Sequence, residues 1–166
     1  MQSALAFLAV ITLALAARTS VDIYTRSIRG WQLSRSLDHK LTLSALQRAL
    51  ADHVPLIHHS DQGVQYAATA YTDLLNEYGV QISMTTVGKA EENGYAERLI
   101  STTKEEEVAL SDYQDFTDAY AQIGHFIEQV YQHKRIHSAL GYLTPTEHEV
   151  AWHRETTEHL SSLDPD

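Results

Sequence analysis

Apolar and polar residues alternate along residues 21–25 and again along 27–33, and this period of two predicts two adjacent strands with the polar Thr25-Arg26-Ser27 between them. Asp38 can cap the next element, in which Leu43, Leu46 and Leu50 recur at helical spacing up to His53. Pro55 stops that helix and opens the short apolar strand Leu56-Ile57-His58-His59, which delivers Asp61 into a Ser60-Asp61-Gln62-Gly63 turn. A second helix is predicted over residues 69–78, with Tyr71, Leu74, Leu75 and Tyr78 on one side and Gly79 just beyond its end. Residues 80–84 alternate as another strand, and residues 85–92 have no period and predict a loop.

The second half reads as helical. From Asn93 onward Glu97, Ser101, Lys104 and Val108 fall at spacings of four, three and four, which places them on one face. A longer helix is predicted over residues 112–133, with an apolar stripe of Phe116, Tyr120, Ile123, Ile127 and Val130 that is core or interface. Thr144-Pro145 supplies a cap and a proline at the first helical position, starting a last helix through Trp152. Strands and helices in this order indicate an α/β layer architecture.

Composition narrows the picture. At 166 residues and 43% hydrophobic content the chain has room for one domain with a real core. Twelve Lys and Arg against twenty-two Asp and Glu give a net charge of -10, the wrong sign for gripping a long duplex by phosphate contacts alone. Nucleic-acid binding then needs a separate basic domain or a metal ion. The absence of cysteine excludes disulfides, thiol nucleophiles and cysteine-type zinc sites, and fits a cytoplasmic protein. Residues 4–17 form an uncharged apolar run too short to span a membrane, so no membrane partner is expected; a buried strand or helix is favoured over a signal peptide ending near Ala14-Leu15-Ala16.

Thirty-five residues lie between Asp61 and Glu97, each predicted at the end of a rigid element. Two hard oxygen ligands converging on one point suit Mg²⁺ or Mn²⁺, and such ions serve phosphodiester chemistry. On these two residues alone, out of twenty-two acids, a turn-forming Asp and a solvated helix Glu is the commoner explanation. Their surroundings add more: His59-Ser60-Asp61-Gln62-Gly63 with Gln65-Tyr66, then Asn93-Gly94-Tyr95-Ala96-Glu97 with Lys104, then Arg135-Ile136-His137-Ser138-Ala139-Leu140-Gly141-Tyr142 with Thr144-Pro145. In this order they resemble the catalytic core of bacterial insertion-sequence transposases, members of the retroviral-integrase superfamily, over residues 21–152.

The resemblance implies an RNase H-like mixed sheet flanked by helices with a helical C-terminal part. It implies Asp61 and Glu97 as the second and third acids of an Asp-Asp-Glu metal-binding triad, and Lys104 as a lysine approaching DNA phosphate. It also exposes a departure. The family carries its first Asp on a central first strand upstream of the strand pair holding Asp22 and Trp31, yet residues 1–21 contain no Asp or Glu, and Asp22 matches a second-strand position instead. The chain is therefore expected to be N-terminally truncated or rearranged, with the first strand missing or replaced by an apolar strand at residues 7–15.

The expected organisation is an atypical apolar segment at 1–20, an integrase core-like domain at 21–152 and an acidic tail at 153–166. The expected function is DNA cleavage and strand transfer in transposition, with weak Mg²⁺ or Mn²⁺ binding and little strand transfer by this copy. Partners would be DNA, as transposon ends and target, and further transposase subunits in a homo-oligomer. The alternative is a non-catalytic domain of the same fold that pairs with an intact transposase. His58 and His59 read as structural imidazoles, and Glu105-Glu106-Glu107 as a solvated face that repels DNA. His133 and His137 lack a third zinc ligand, and the resemblance assigns Arg135 and His137 to packing of the C-terminal segment. Tyr95 and Tyr113 are candidates for base stacking, helix packing being the commoner use.

Overall fold

The computed structural model describes residues 18–35, 39–84 and 94–163. The proposed strand at 7–15, the Asp38 cap and the loop at 85–92 lie outside the described residues. Strand β1 (Arg18–Val21) pairs antiparallel with β2 (Ile28–Gln32), with Thr19 opposite Trp31. Helix α1 (His39–Asp52) follows, then β3 (Ile57–Ser60), α2 (Thr69–Glu77) and β4 (Gln81–Met84), which pairs parallel with β3. Helices α3 (Gly94–Thr103), α4 (Phe116–His125) and α5 (Pro145–Leu163) complete the chain. The result is a mixed α/β fold, helix-rich, with two separate two-stranded sheets among the described residues.

The first strand pair sits differently from its sequence reading. Alternation predicts a strand over 21–25, but β1 ends at Val21 because the Asp22 carboxylate accepts the amides of Tyr24 and Thr25, both at 2.9 Å, and turns the chain. Arg26 completes that hairpin at a left-handed φ of 62°.

Strand β2 is the most embedded element. Gly30 lies so close to α1 that a Cβ there would strike the Ala45 carbonyl oxygen and the Ala49 amide. On the other side Trp31 packs on Gly124 of α4 and donates its indole N–H to Glu128 at 3.0 Å. The Gln132 side chain accepts from the Ile28 amide and donates to the Ile28 carbonyl, each at 3.1 Å, doing for β2 what a neighbouring strand would do. Arg29 reaches Glu149 of α5 at 2.6 Å and Asp52 of α1 at 3.3 Å, joining three elements. Burial opposes its charge, but the bonds to Glu149 and Asp52 and the nearby Asp22 hold its proton above the ordinary value.

The predicted stripe of the long helix is core: Ile123 and Ile127 are buried beside Trp31, Leu33 and Leu99, with Phe116, Tyr120 and Val130 packed against them. The helix starts later than predicted, with Asp115 capping the Asp118 amide at 2.9 Å. It then widens to π geometry over Phe126–Tyr131, which brings Phe126 and Tyr131 into the same core. At the last helix Thr144 and Glu147 bond reciprocally as a capping box, and the helix continues past Trp152 to Leu163.

Candidate active site

A cleft of about 530 Å³ separates the two sheets. Residues of β1 line one side and residues 57–61 the other, the apolar floor is Ala45, Leu46, Ala49 and Leu50 of α1, and one end is closed by Tyr95, Ala96, Glu97 and Ile100 of α3. Asp61 follows the buried end of β3, where its Oδ1 accepts the Gly63 amide at 2.8 Å, so local turn chemistry fixes the carboxylate at the strand end. Glu97 lies in the first turn of α3 with its side chain exposed, an electrostatically favourable place for a carboxylate. The fold thus brings both sequence-predicted acids to one cleft.

Asp22 lines the same cleft, but its oxygens are engaged. Burial pushes its pKa up, and the Thr25 and Tyr24 amides and the Arg29 charge outweigh that, so it stays below the ordinary carboxylate range. Among the described residues no three His, Cys, Asp or Glu form a group able to hold a metal ion.

Lys104 is not among the residues lining the cleft. It begins a π-helical segment, Lys104–Val108, in which Ala109 donates to the Lys104 carbonyl five residues back. The wider turn shifts the helical phase, so Val108 is buried in the core although Glu97 is exposed, and the predicted common face does not extend to Val108.

The imidazoles behave as predicted for structural groups. His58 Nε2 meets the Tyr71 hydroxyl at 2.8 Å and His59 Nδ1 meets Ser83 Oγ at 3.0 Å. Burial, with the neighbouring His59, pushes the His58 pKa down to about 4, so the ring is neutral near pH 7.

The Glu105-Glu106-Glu107 run is not simply solvated. Glu105 lies 3.8 Å from Arg98, Glu106 accepts a fork from Arg135 at 2.8–3.0 Å, and Glu107 accepts from Ser111 and Tyr113. Tyr113 is buried with its hydroxyl on Glu107 and is unavailable to bases, whereas Tyr95 is about half exposed. The turn from His137 to Leu143 closes as a β-bridge, with Arg135 and Tyr131 against the His137 ring.

An embedded strand hairpin, a parallel strand pair ending in an acid, and a helix that returns a second acid to the cleft define an integrase-like catalytic core. Residues 8–90 and residues 78–145 both match the integrase core domain family, and the chain belongs to that family. It is 33% identical over 133 residues to the transposase for insertion sequence element IS904 of Lactococcus lactis subsp. lactis (strain IL1403), covering 78% of this chain and 53% of that protein. It is 26% identical over 143 residues to the putative transposase for IS986/IS6110 of Mycobacterium tuberculosis, covering 81% of this chain and 51% of that protein. The chain spans about half the length of the curated relatives it matches. The solved catalytic core of BIV integrase superposes with a TM-score of 0.61 at 17% identity, covering 85% of this chain and 88% of that one. The HTLV-2 integrase catalytic core, solved as a trimeric form with magnesium, superposes with a TM-score of 0.60 at 13% identity, covering 79% and 82% of the two chains. Among the described residues no helix is long and apolar enough to cross a membrane.

Proposed function

We propose that this chain is the catalytic-core part of an insertion-sequence transposase, acting on DNA phosphodiesters with Asp61 and Glu97 as the acids that hold a divalent ion. The observation that carries the reading is the presence of both acids on one cleft, at a strand end and in the first turn of a helix. Mg²⁺ is commonly held by one or two carboxylates with water or phosphate oxygens in its remaining positions, so these residues fit one weakly held ion. Asp22 lines the same cleft but is committed to its own turn and to Arg29, so it adds no free carboxylate to that pair. A bound ion would supply charge neutralisation at the phosphate and an activated oxygen. The chain's own contribution is to present the two carboxylates on fixed elements and to keep the β3 end in register through His58–Tyr71 and His59–Ser83.

That no three His, Cys, Asp or Glu among the described residues form a group able to hold a metal ion favours a second reading, a non-catalytic domain that pairs with another transposase copy. Thermal unfolding with increasing Mn²⁺ separates the two. The catalytic-core reading predicts a rise of about 3–6 °C at tenfold the dissociation constant, itself on the order of 1 mM. Asp61→Asn and Glu97→Gln should each remove it. A wild-type protein that does not respond to millimolar Mn²⁺ contradicts the reading.

A further inference from the structure

On the opposite side of Tyr95 from the acid cleft lies a second pocket, of about 330 Å³, into which three arginines from distant parts of the chain converge. Arg26 comes from the β1–β2 turn, Arg98 from α3, and Arg135 from the end of the long helix, with His137 and Ser138 completing the wall. In a chain of net charge -10 this gathering of cations runs against the bulk composition.

Three features distinguish the pocket from incidental surface charge. First, Arg26 is held at a left-handed φ of 62°, a conformation costly for a non-glycine residue, and its guanidinium lies 3.7 Å above the Tyr95 ring. Second, its Nη1 is shielded from water and has no hydrogen-bond partner, leaving a buried donor of a charged group unsatisfied. Third, the positive field is felt by the neighbours. After burial, the charges of Arg135 and Arg26 depress the His137 pKa, and the same two charges oppose the upward push of burial on Tyr131.

The acids nearby do not cancel the pocket. Glu106 is taken by the Nε and Nη2 of Arg135, leaving Arg135 Nη1 3.4 Å from the His137 ring. Glu105 is 3.8 Å from Arg98, whose side chain is 65% exposed, a weak pairing in water. Arg26 has no acid within ion-pair distance among the described residues.

We propose that the pocket of Arg26, Arg98 and Arg135 is a phosphate-binding subsite that takes a backbone phosphodiester of a DNA strand whose course continues into the cleft of Asp61 and Glu97. The DNA assignment rests on the transposase reading; the anion assignment does not. Val21 and Tyr95 line both cavities, so the two sites share a wall and one strand can run past it. Guanidinium groups suit phosphate because they offer several donors in a plane, and those of Arg26, Arg98 and Arg135 all line this pocket.

The test uses Arg26→Gly, because glycine accepts a left-handed φ without strain while the guanidinium is removed, and Arg98→Gln, because that side chain is largely solvated. Binding of a fluorescein-labelled 20-base-pair duplex is followed by anisotropy in millimolar Mg²⁺ over a series of NaCl concentrations, and melting is followed in EDTA with and without 50 mM inorganic phosphate. Wild type should bind the duplex, and Arg26→Gly should bind about five- to tenfold more weakly, with a salt slope smaller by about one. Arg98→Gln should lose about threefold. In the absence of phosphate, Arg26→Gly should melt no lower than wild type. If wild type ignores DNA but phosphate raises its melting point and not that of Arg26→Gly, the subsite stands as an anion site and the transposase reading fails. If Arg26→Gly matches wild type in DNA affinity, salt slope and phosphate response, the subsite is overturned.

Discussion

The two small sheets are built to different standards. In β2, Ile28, Gly30 and Trp31 are buried, and side chains from three helices satisfy its backbone and its arginine. In β3, Ile57 is 56% exposed and Leu56, just before it, 90% exposed; two imidazole contacts hold it on its neighbours. The acid that the proposed chemistry needs is at the end of the second sheet. Stability is thus concentrated in one half of the molecule, while the candidate chemistry depends on the lighter half and on the start of α3.

That contrast makes ordered predictions. The largest effect belongs to Gly30→Ala, where the new Cβ meets α1 backbone that cannot step aside. A loss of about 3 kcal/mol in urea unfolding is expected, and a loss under about 1 kcal/mol would show that β2 is not clamped by α1. Next comes pH. The unfolded His58 takes its proton near the ordinary 6.5, the folded one only near 4, so the folded state binds fewer protons between those values. Stability is therefore full above that window, falls as pH drops through it and levels below about 4, by up to about 3 kcal/mol. Urea midpoints from pH 7.5 to 4 measure it, and His58→Gln should flatten the curve.

Trp31→Phe keeps the ring against Gly124 and removes the bond to Glu128, so a smaller loss of about 1 kcal/mol is expected by the same urea assay. At the bottom of the scale Ile57→Thr, on the exposed part of β3, should stay within about 0.5 kcal/mol of wild type. A cost there equal to that at Trp31 would dissolve the distinction between the sheets.

The parts of this arrangement that the sequence disclosed are the local ones. Alternation marked β2, Pro55 and the Ser60–Gly63 turn marked the approach to Asp61, and Thr144-Pro145 marked α5. Alternation missed the end of β1, because period two cannot register that the Asp22 side chain captures the next amides. A fixed 3.6-residue period carried the Glu97 face too far, because the π segment at Lys104 changes the phase. The local settings of Asp61 and Glu97 were legible from their own neighbours, a turn in one case and a helix start in the other. The arginine pocket was not: its members stand at 26, 98 and 135 in an acidic chain, and only the fold assembles them.

Whether Asp61 and Glu97 hold one metal ion in their cleft is read from paramagnetic broadening of amide resonances in a ¹⁵N-labelled sample titrated with Mn²⁺. The lowest additions should broaden the amides around Asp61–Gly63 and Ala96–Arg98 together, and Glu97→Gln should weaken both sets at once. Broadening that begins instead at Glu105–Glu107 or along α5, with the Asp61 turn untouched, would contradict it.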